Sequence, residues 1–167
     1  MQKNKKEKLE QNKTEEPMGL LQRSLLTGFV GGILWSMISA FMYYFNFMDL
    51  SARHYLLRSW NRAGWTDTWL GEAVSILLVG LLSIGVALLY YILLKKVNSL
   101  WAGVVFGMVL WVVIFYIATP IFPNIPTVEE LNLDTIVSSF CIYILYGTFI
   151  GYSISYDYHE TGLKKSE

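Results

Sequence analysis

Four stretches of this chain contain no charged residue, and each is long enough to cross a lipid bilayer. They cover residues 25–47, 73–94, 100–119 and 135–156. The hydrocarbon core of a bilayer is about 30 Å thick, so a helix that rises about 1.5 Å per residue needs roughly 20 residues to cross it. Charged residues, 16% of the chain, lie between and outside these stretches. The pattern predicts an all-α integral membrane protein, a bundle of four transmembrane helices.

The polar segments at the two ends predict a membrane domain with two tails. Residues 1–22 are polar, of mixed charge and free of aromatic side chains. A segment of this kind offers too little apolar surface for burial, so we expect a disordered tail. Residues 23–157 form the membrane domain and residues 158–167 a second tail. The third stretch ends at three prolines, which lack a backbone donor: Pro120, Pro123 and Pro126.

Lysine and arginine are unevenly distributed between the two sides of such a bundle. With four spans, both tails and the second connection share one side, which carries ten of these residues: Lys3, Lys5, Lys6, Lys8, Lys13, Arg23, Lys95, Lys96, Lys164 and Lys165. The other side carries three, Arg53, Arg58 and Arg62, in the first connection. Because basic residues are retained on the cytoplasmic side, the sequence predicts that both termini are cytoplasmic.

The first connection is rich in aromatic and basic residues. On a helical wheel, the apolar and polar residues of positions 50–60 separate onto two faces, which predicts a short amphipathic helix on the outer membrane surface. Five residues are assigned to this interface: Arg53, Arg58, Trp60, Trp65 and Trp69. Two interpretations remain open. The segment either caps the bundle as a lid, or it forms a docking site for a lipid or an extracytoplasmic partner.

Small residues at spacing four predict the packing faces of three spans. Lipid tails are as apolar as leucine, so membrane helices associate through close backbone contact, which glycine permits. The predicted packing residues are Gly28, Gly32, Ser36, Gly103, Gly107, Gly147 and Gly151. We expect the face of Gly28 and Gly32 on the first span to pack against Gly147 and Gly151 on the fourth. Packing within one chain and a seam between two copies are both compatible with the pattern.

Polar and amphipathic residues within or beside the spans predict a possible polar cavity, assigned to Trp35, Ser39, Glu72, Ser83, Trp111 and Asp134. The two tryptophans lie near mid-membrane, where each indole N–H needs an acceptor such as a serine hydroxyl or a backbone carbonyl. Glu72 and Asp134 precede spans at the same side. They either act as acids at helix N-termini or converge on a cation.

The first and third spans share an order of features. Each carries Gly-xxx-Gly, then a tryptophan, then an aromatic cluster, and each is followed by a connection that ends in an acidic residue. This order is compatible with two parallel hairpin repeats.

The sequence predicts no catalytic, cofactor or metal site. His54 and His159 are expected on opposite sides of the membrane, and the single cysteine, Cys141, lies in an apolar stretch. No phosphate-binding glycine loop or HExxH motif is present. The expected partner is the lipid bilayer, with a second copy or another membrane protein as open alternatives, and no nucleic acid.

Several segments of the chain resemble a known family. The basic tail, the sequence GFVGGILWS at residues 28–36 and WNRAGWTDTWLGE at residues 60–72 are similar to the YqhR-type conserved membrane proteins of Gram-positive, spore-forming bacteria. The resemblance implies a multi-pass protein of the bacterial cell membrane. It implies no biochemical activity and no catalytic residues, because none is assigned to that family.

The spans, the resemblance and the missing catalytic residues together favour a non-enzymatic accessory or assembly component of the membrane. The alternative is a small-solute or ion transporter or channel formed by an oligomer. A transporter should have a polar cavity that reaches mid-membrane, lined by serine, tyrosine and tryptophan, whereas a solid bundle packed on glycine favours the accessory role.

Overall fold

Four long helices form an antiparallel bundle in the computed structural model, which describes residues 19–57, 66, 68–97, 99–118 and 127–164. The helices are α1 (Leu20–Tyr44), the short α2 (Ala52–Tyr55), α3 (Trp69–Leu94), α4 (Leu100–Val112) and α5 (Leu133–Lys164). A π-helical segment, Val113–Ile117, continues α4, and a 3₁₀ turn, Val128–Glu130, precedes α5. The described residues contain no β-strand, which agrees with the predicted all-α fold.

The four candidate spans are long and apolar enough to cross a membrane. Three of the helices extend beyond the charge-free stretches at one end or both, whereas the third span ends at Ile117, two residues before the predicted limit. α1 begins at Leu20, inside the predicted disordered tail, and α5 continues to Lys164, inside the predicted second tail. Charges are tolerated here because they are paired: Arg23 of α1 lies 3.6 Å from Asp157 of α5. At its other end α1 stops three residues before the predicted limit, and Asn46 turns the chain with a φ of 58°.

The bundle has two distinguishable ends. The start of α1, the α3–α4 connection and the last turns of α5 lie together, as the Arg23–Asp157 pair and the position of Lys95 Nζ 5.7 Å from the Tyr158 ring show. We call this the terminal end. The opposite end carries α2 and the 3₁₀ turn, and we call it the lid end. The first turn of α1 and the last turns of α5 therefore lie at the same end of the bundle.

The seam between α1 and α3 is formed by residues too small to hold the backbones apart. A Cβ added to Gly28 would lie 2.5 Å from the Cβ of Ala87, and one added to Gly32 would lie 2.9 Å from the Cα of Gly80. Real Cβ atoms do not approach other atoms so closely. Glycine is therefore required at both positions for α1 and α3 to lie at this distance.

The seam between α4 and α5 consists of two facing Gly-xxx-Gly motifs. A Cβ on Gly147 would lie 2.5 Å from the backbone N of Gly107, and a Cβ on Gly151 would lie 2.7 Å from the Cα of Gly103. Backbone meets backbone along this seam, so dispersion contacts accumulate over two helical turns.

The expected contact between Gly32 on the first span and Gly147 on the fourth is wrong. Each glycine face packs within its own hairpin, α1 with α3 and α4 with α5. The contact between α1 and α5 uses Gly31 instead, whose added Cβ would lie 3.0 Å from the ring of Phe149. Ser36, predicted as a packing residue, is buried, and its Oγ donates to the carbonyl oxygen of Ile33 in the same helix at 3.0 Å.

The helices form an incomplete ring in the order α3, α1, α5, α4. α3 packs on α1, α1 on α5 and α5 on α4, whereas α3 and α4 make almost no direct backbone contact in the described residues. Their short connection holds them together at the terminal end, where the Tyr90 and Phe106 rings meet edge to face at 5.0 Å. Towards the lid end, a gap between α3 and α4 remains.

The glycine seams give a direct test with a matched control. Substituting Gly107→Leu or Gly147→Leu should push α4 and α5 apart and lower the free energy of unfolding by roughly 1–3 kcal/mol, as overpacking does. Gly85→Leu is the control, because a Cβ at Gly85 meets no atom within 4 Å. Stability would be measured by SDS titration in mild detergent. Seam variants as stable as the Gly85 variant would contradict the proposed packing.

Candidate functional site

A cavity of about 190 Å³ lies inside the ring of helices and extends from the lid end to the middle of the bundle. Its wall is chiefly apolar and includes residues of α1, α3, α4 and α5. The polar and amphipathic residues of the wall are Trp35, Ser36, Ser39, Ser83, Ser139, Tyr143 and Tyr146. The sequence assigned Trp35, Ser39 and Ser83 of this set to a cavity, and the structure brings all three to its wall.

The cavity is closed towards the terminal end. Below it, Tyr90, Ile150 and Ile154 are fully buried and form one apolar cluster with Ala87 and Phe106. The described residues therefore leave no continuous path along the bundle axis beneath the cavity. Its shape is that of a blind pocket.

The side of the cavity opens at the gap between α3 and α4. Leu82 on α3 lines the cavity and is also 58% exposed on the outer surface of the bundle. Leu110 and Ile114 of the fourth span form the opposite edge of the gap. These residues belong to helices that are long and apolar enough to cross a membrane.

A hydrogen-bonded serine joins three helices at the bottom of the cavity. Ser83 Oγ of α3 donates to the carbonyl oxygen of Gly28 in α1 at 2.5 Å and contacts Tyr146 Oη of α5 at 2.5 Å. A serine hydroxyl has one hydrogen, so when it donates to Gly28, Tyr146 must donate to Ser83. The Ser83 hydroxyl therefore has the Gly28 carbonyl as its acceptor, and the Tyr146 hydroxyl has Ser83 Oγ.

The two mid-bundle tryptophans differ in their hydrogen bonding. Trp111 Nε1 donates to Ser139 Oγ at 3.0 Å, and Ser139 Oγ donates to the carbonyl oxygen of Ile136 at 3.0 Å. Trp35 lines the cavity with other atoms of its side chain, whereas its Nε1 is buried inside the protein and has no acceptor among the described residues. Ser83, one of the acceptors expected from the sequence, is already engaged by Gly28 and Tyr146. An unpaired buried donor costs about 1–3 kcal/mol, so Trp35 requires an explanation.

A segment at the lid end, residues 48–57, covers the cavity, and we call it the lid. Met48, Leu50 and Leu56 line its upper part. Leu50, Ala52 and Leu57, expected to face lipid on an interfacial helix, are buried against protein. The apolar face of this segment therefore packs on the bundle, and its position at the outer membrane surface stays a prediction. Among the other assigned residues, Arg58, Trp60 and Trp65 lie outside the described residues, and Trp69 begins α3 with 76% of its surface exposed.

An ion pair fastens the lid to α3. Arg53 Nε lies 3.4 Å from Glu72 Oε2, and Ser51 Oγ donates to the other oxygen of Glu72. Arg53 also donates to Tyr43 Oη at 3.4 Å. The Glu72 carboxylate is thus occupied by the lid, and Asp134 lies exposed in the first turn of α5. Both acids thus lie in the first turn of a helix, which is the first of the two alternatives that the sequence left open.

A second polar contact, which the sequence did not reveal, holds the lid to α5. Asp49 Oδ2 accepts from Asn132 Nδ2 at 2.6 Å and from Thr135 Oγ1 at 3.2 Å. The sequence also missed Ser139, Tyr143 and Tyr146, although their spacing of four and three places them on one helical face. Among the residues described, no three histidine, cysteine, aspartate or glutamate side chains are placed to bind one metal ion.

The lid contact can be tested by removing one charge. Glu72→Gln retains an acceptor for Ser51 but loses the ion pair with Arg53, whose side chain is 19% exposed. Because the pair is partly buried, we expect a loss of about 1–2 kcal/mol and faster amide hydrogen exchange across residues 50–57. Asp134→Asn, at an exposed position, is the control. Equal exchange in both variants would contradict the role of the pair.

Comparison with known proteins places the chain in a family. The family described as conserved membrane protein YqhR matches residues 4–167. The chain is 42% identical over 153 residues to the uncharacterised protein YqhR of Bacillus subtilis (strain 168), which covers 92% of this chain and 85% of that relative. No solved structure matches. The resemblance inferred from the sequence motifs is confirmed, and the chain belongs to the YqhR family of conserved membrane proteins.

Proposed function

We propose that this protein is a non-enzymatic accessory component of the bacterial cell membrane that holds a small apolar molecule from the bilayer in its interhelical cavity. The observation that supports this proposal is the shape of the cavity, which among the described residues is closed towards the terminal end and open between α3 and α4. Such a shape suits binding from the membrane rather than passage from one aqueous side to the other.

The size and wall of the cavity define what fits. Cavities of about 150 Å³ with aliphatic and aromatic walls bind benzene-sized molecules, and this cavity has about 190 Å³. Its volume suits one small ring or a segment of an aliphatic chain whose remainder lies in the gap. Small-molecule sites are usually mostly apolar with few polar groups, as this wall is.

A transporter or channel formed by an oligomer is the alternative. The serine, tyrosine and tryptophan residues of the cavity wall support it, since a pore can be lined by such groups. The bundle below the cavity is filled by Tyr90, Ile150 and Ile154. This packing argues against a path through a single chain. A conducting path would then have to run between copies. The two proposals differ in one measurement, because only the transporter makes liposomes permeable to small solutes or ions.

The proposed orientation has both termini in the cytoplasm. Four spans bring both termini to the terminal end, where Arg23 and Lys95 also lie. The excess of lysine and arginine in the tails and in the second connection supports the assignment of this end to the cytoplasmic side. The lid end would then face out.

Fusions of alkaline phosphatase, which is active only after export, test this orientation. We expect low activity for a fusion at Glu167, because the positively charged side stays inside. A fusion truncated after Glu130, in the connection at the lid end, is the control and should be active. High activity at Glu167 with low activity at Glu130 would reverse the topology.

Photolabelling tests whether a membrane molecule occupies the cavity. A palmitic acid with a diazirine in mid-chain, added to nanodiscs that contain the protein, should label Ile142, which lines the cavity and is 9% exposed. Leu82→Trp should reduce this label by blocking the gap. Leu81→Trp is the control, because Leu81 is equally lipid-exposed, at 57%, and lies outside the cavity wall. Label at exposed Leu145 without label at Ile142 would refute the proposed binding.

A further inference from the structure

We infer that the molecule held in the cavity is an uncharged alcohol, mostly apolar, whose hydroxyl group is bound by Ser39. This inference rests on the proposed function and names the chemical class of its ligand. It starts from Ser39, which lines the cavity and is buried, with 9% of its surface exposed. The hydroxyl of Ser39 makes no hydrogen bond in the part of the chain that the structure describes.

Ser39 differs in this respect from the other buried serines of the long helices. Each of those has a hydrogen-bond partner: Ser24, Ser36, Ser75, Ser83, Ser139 and Ser155. Four of them donate to a carbonyl oxygen three or four residues earlier in the same helix. Buried hydroxyl groups are rarely left unpaired, so Ser39 marks a position for a further polar group.

The hydroxyl of Ser39 can be reached from the cavity. The indole nitrogen of Trp35 has no acceptor and is fully enclosed by protein atoms, whereas Ser39 Oγ is not enclosed in this way. Because Ser39 lines the cavity, its accessible surface faces the cavity. A molecule in the cavity can therefore supply the hydrogen bond that Ser39 lacks, although it cannot reach Trp35 Nε1.

A hydroxyl group fits Ser39 in both hydrogen-bonding states that a serine in a helix adopts. When Ser39 donates to the ligand, the ligand oxygen accepts. When Ser39 instead donates to the carbonyl oxygen four residues earlier, as Ser24 and Ser75 do in their helices, Ser39 Oγ accepts from the ligand hydroxyl. A ketone or an ether has no hydrogen for the second arrangement. The hydroxyl is therefore the group that this position favours.

The charge of the wall excludes an ionised ligand. None of the described lining residues is an aspartate, glutamate, lysine or arginine. An unpaired charge in such surroundings is strongly unfavourable, so an anion or cation would be rejected. An alcohol provides a donor and an acceptor without a charge.

The level of Ser39 along α1 determines the orientation of the ligand. Ser39 lies five residues before the last residue of α1, or about 7–8 Å from the lid end of that helix. The bottom of the cavity lies deeper, where Ser83 contacts Gly28 and would meet a Cβ added to Gly32. We therefore expect the hydroxyl of the ligand in the upper part of the cavity, beneath the lid, and its apolar part below.

Competition between two molecules of matched shape tests the inference. Cyclohexanol and methylcyclohexane differ in one substituent of the same ring, a hydroxyl in place of a methyl group. Each would compete with the diazirine palmitate for labelling of Ile142 in nanodiscs, at equal concentrations in the membrane. Cyclohexanol should compete about 5-fold more strongly in the wild-type protein, which is the effect of one net hydrogen bond. In Ser39→Ala the ratio should fall to about one.

Ser36→Ala is the matched control. Ser36 is a buried serine of the same helix and the same wall, but its hydroxyl already donates to the carbonyl oxygen of Ile33. The preference for cyclohexanol should therefore persist in this variant, and also in Ser39→Thr, which retains the hydroxyl. SDS titration would show whether the variants are folded. The comparison in the wild-type protein decides the class of ligand even if a variant fails to fold.

The outcomes separate the inference from the proposed function. If Ile142 is labelled but cyclohexanol competes no better than methylcyclohexane, as expected where water alone pairs with Ser39, the inferred hydroxyl is wrong and binding of an apolar molecule stands. If Ser39→Ala keeps the preference, or Ser36→Ala loses it equally, the role assigned to Ser39 is wrong. If Ile142 is not labelled at all, the proposed function itself is wrong.

Discussion

The close approach of backbones at two glycine seams determines where the remaining parts of this protein lie. Gly28 and Gly32 bring α1 against α3, and Gly107 and Gly147 bring α4 against α5. Within a bilayer, helices gain little from hiding apolar surface, because lipid is as apolar as the side chains. Backbone contact and hydrogen bonds therefore decide which helices pair. Two tight hairpins result, and the space between them is left to larger side chains.

The cavity is a consequence of this pairing. The hairpins meet through α1 and α5, where the added Cβ of Gly31 would meet the Phe149 ring. They also meet at the terminal end, where Tyr90 packs on Phe106. Between α3 and α4 towards the lid end there is no comparable seam. Among the described residues, the bundle is thus closed at the terminal end and covered by a lid that Glu72 and Asp49 hold, and it is open between α3 and α4.

The sequence predicted the helices more accurately than the contacts between them. Length and the absence of charge suffice to place four spans, because the cost of a charge in hydrocarbon is large and local. Which surface a glycine face packs against depends on the residues of both helices. The surface of α3 that receives Gly28 and Gly32 consists of Gly80, Ser83 and Ala87, which form no Gly-xxx-Gly motif. The burial of Leu50, Ala52 and Leu57 against protein could not be predicted for the same reason, since an apolar face fits protein and lipid equally well.

The two tryptophans show how a small difference in spacing separates similar sequences. Trp35 follows the last glycine of its motif, Gly32, by three residues, whereas Trp111 follows Gly107 by four. A shift of one position along a helix moves a side chain by about 100° around the helix axis. Trp111 meets Ser139 on the partner helix of its own hairpin, and Trp35 meets no acceptor among the described residues. The two hairpins are therefore alike in their glycine seams and different at the cavity. That difference leaves one hairpin with a buried donor that has no partner among the described residues, and the other with a paired one.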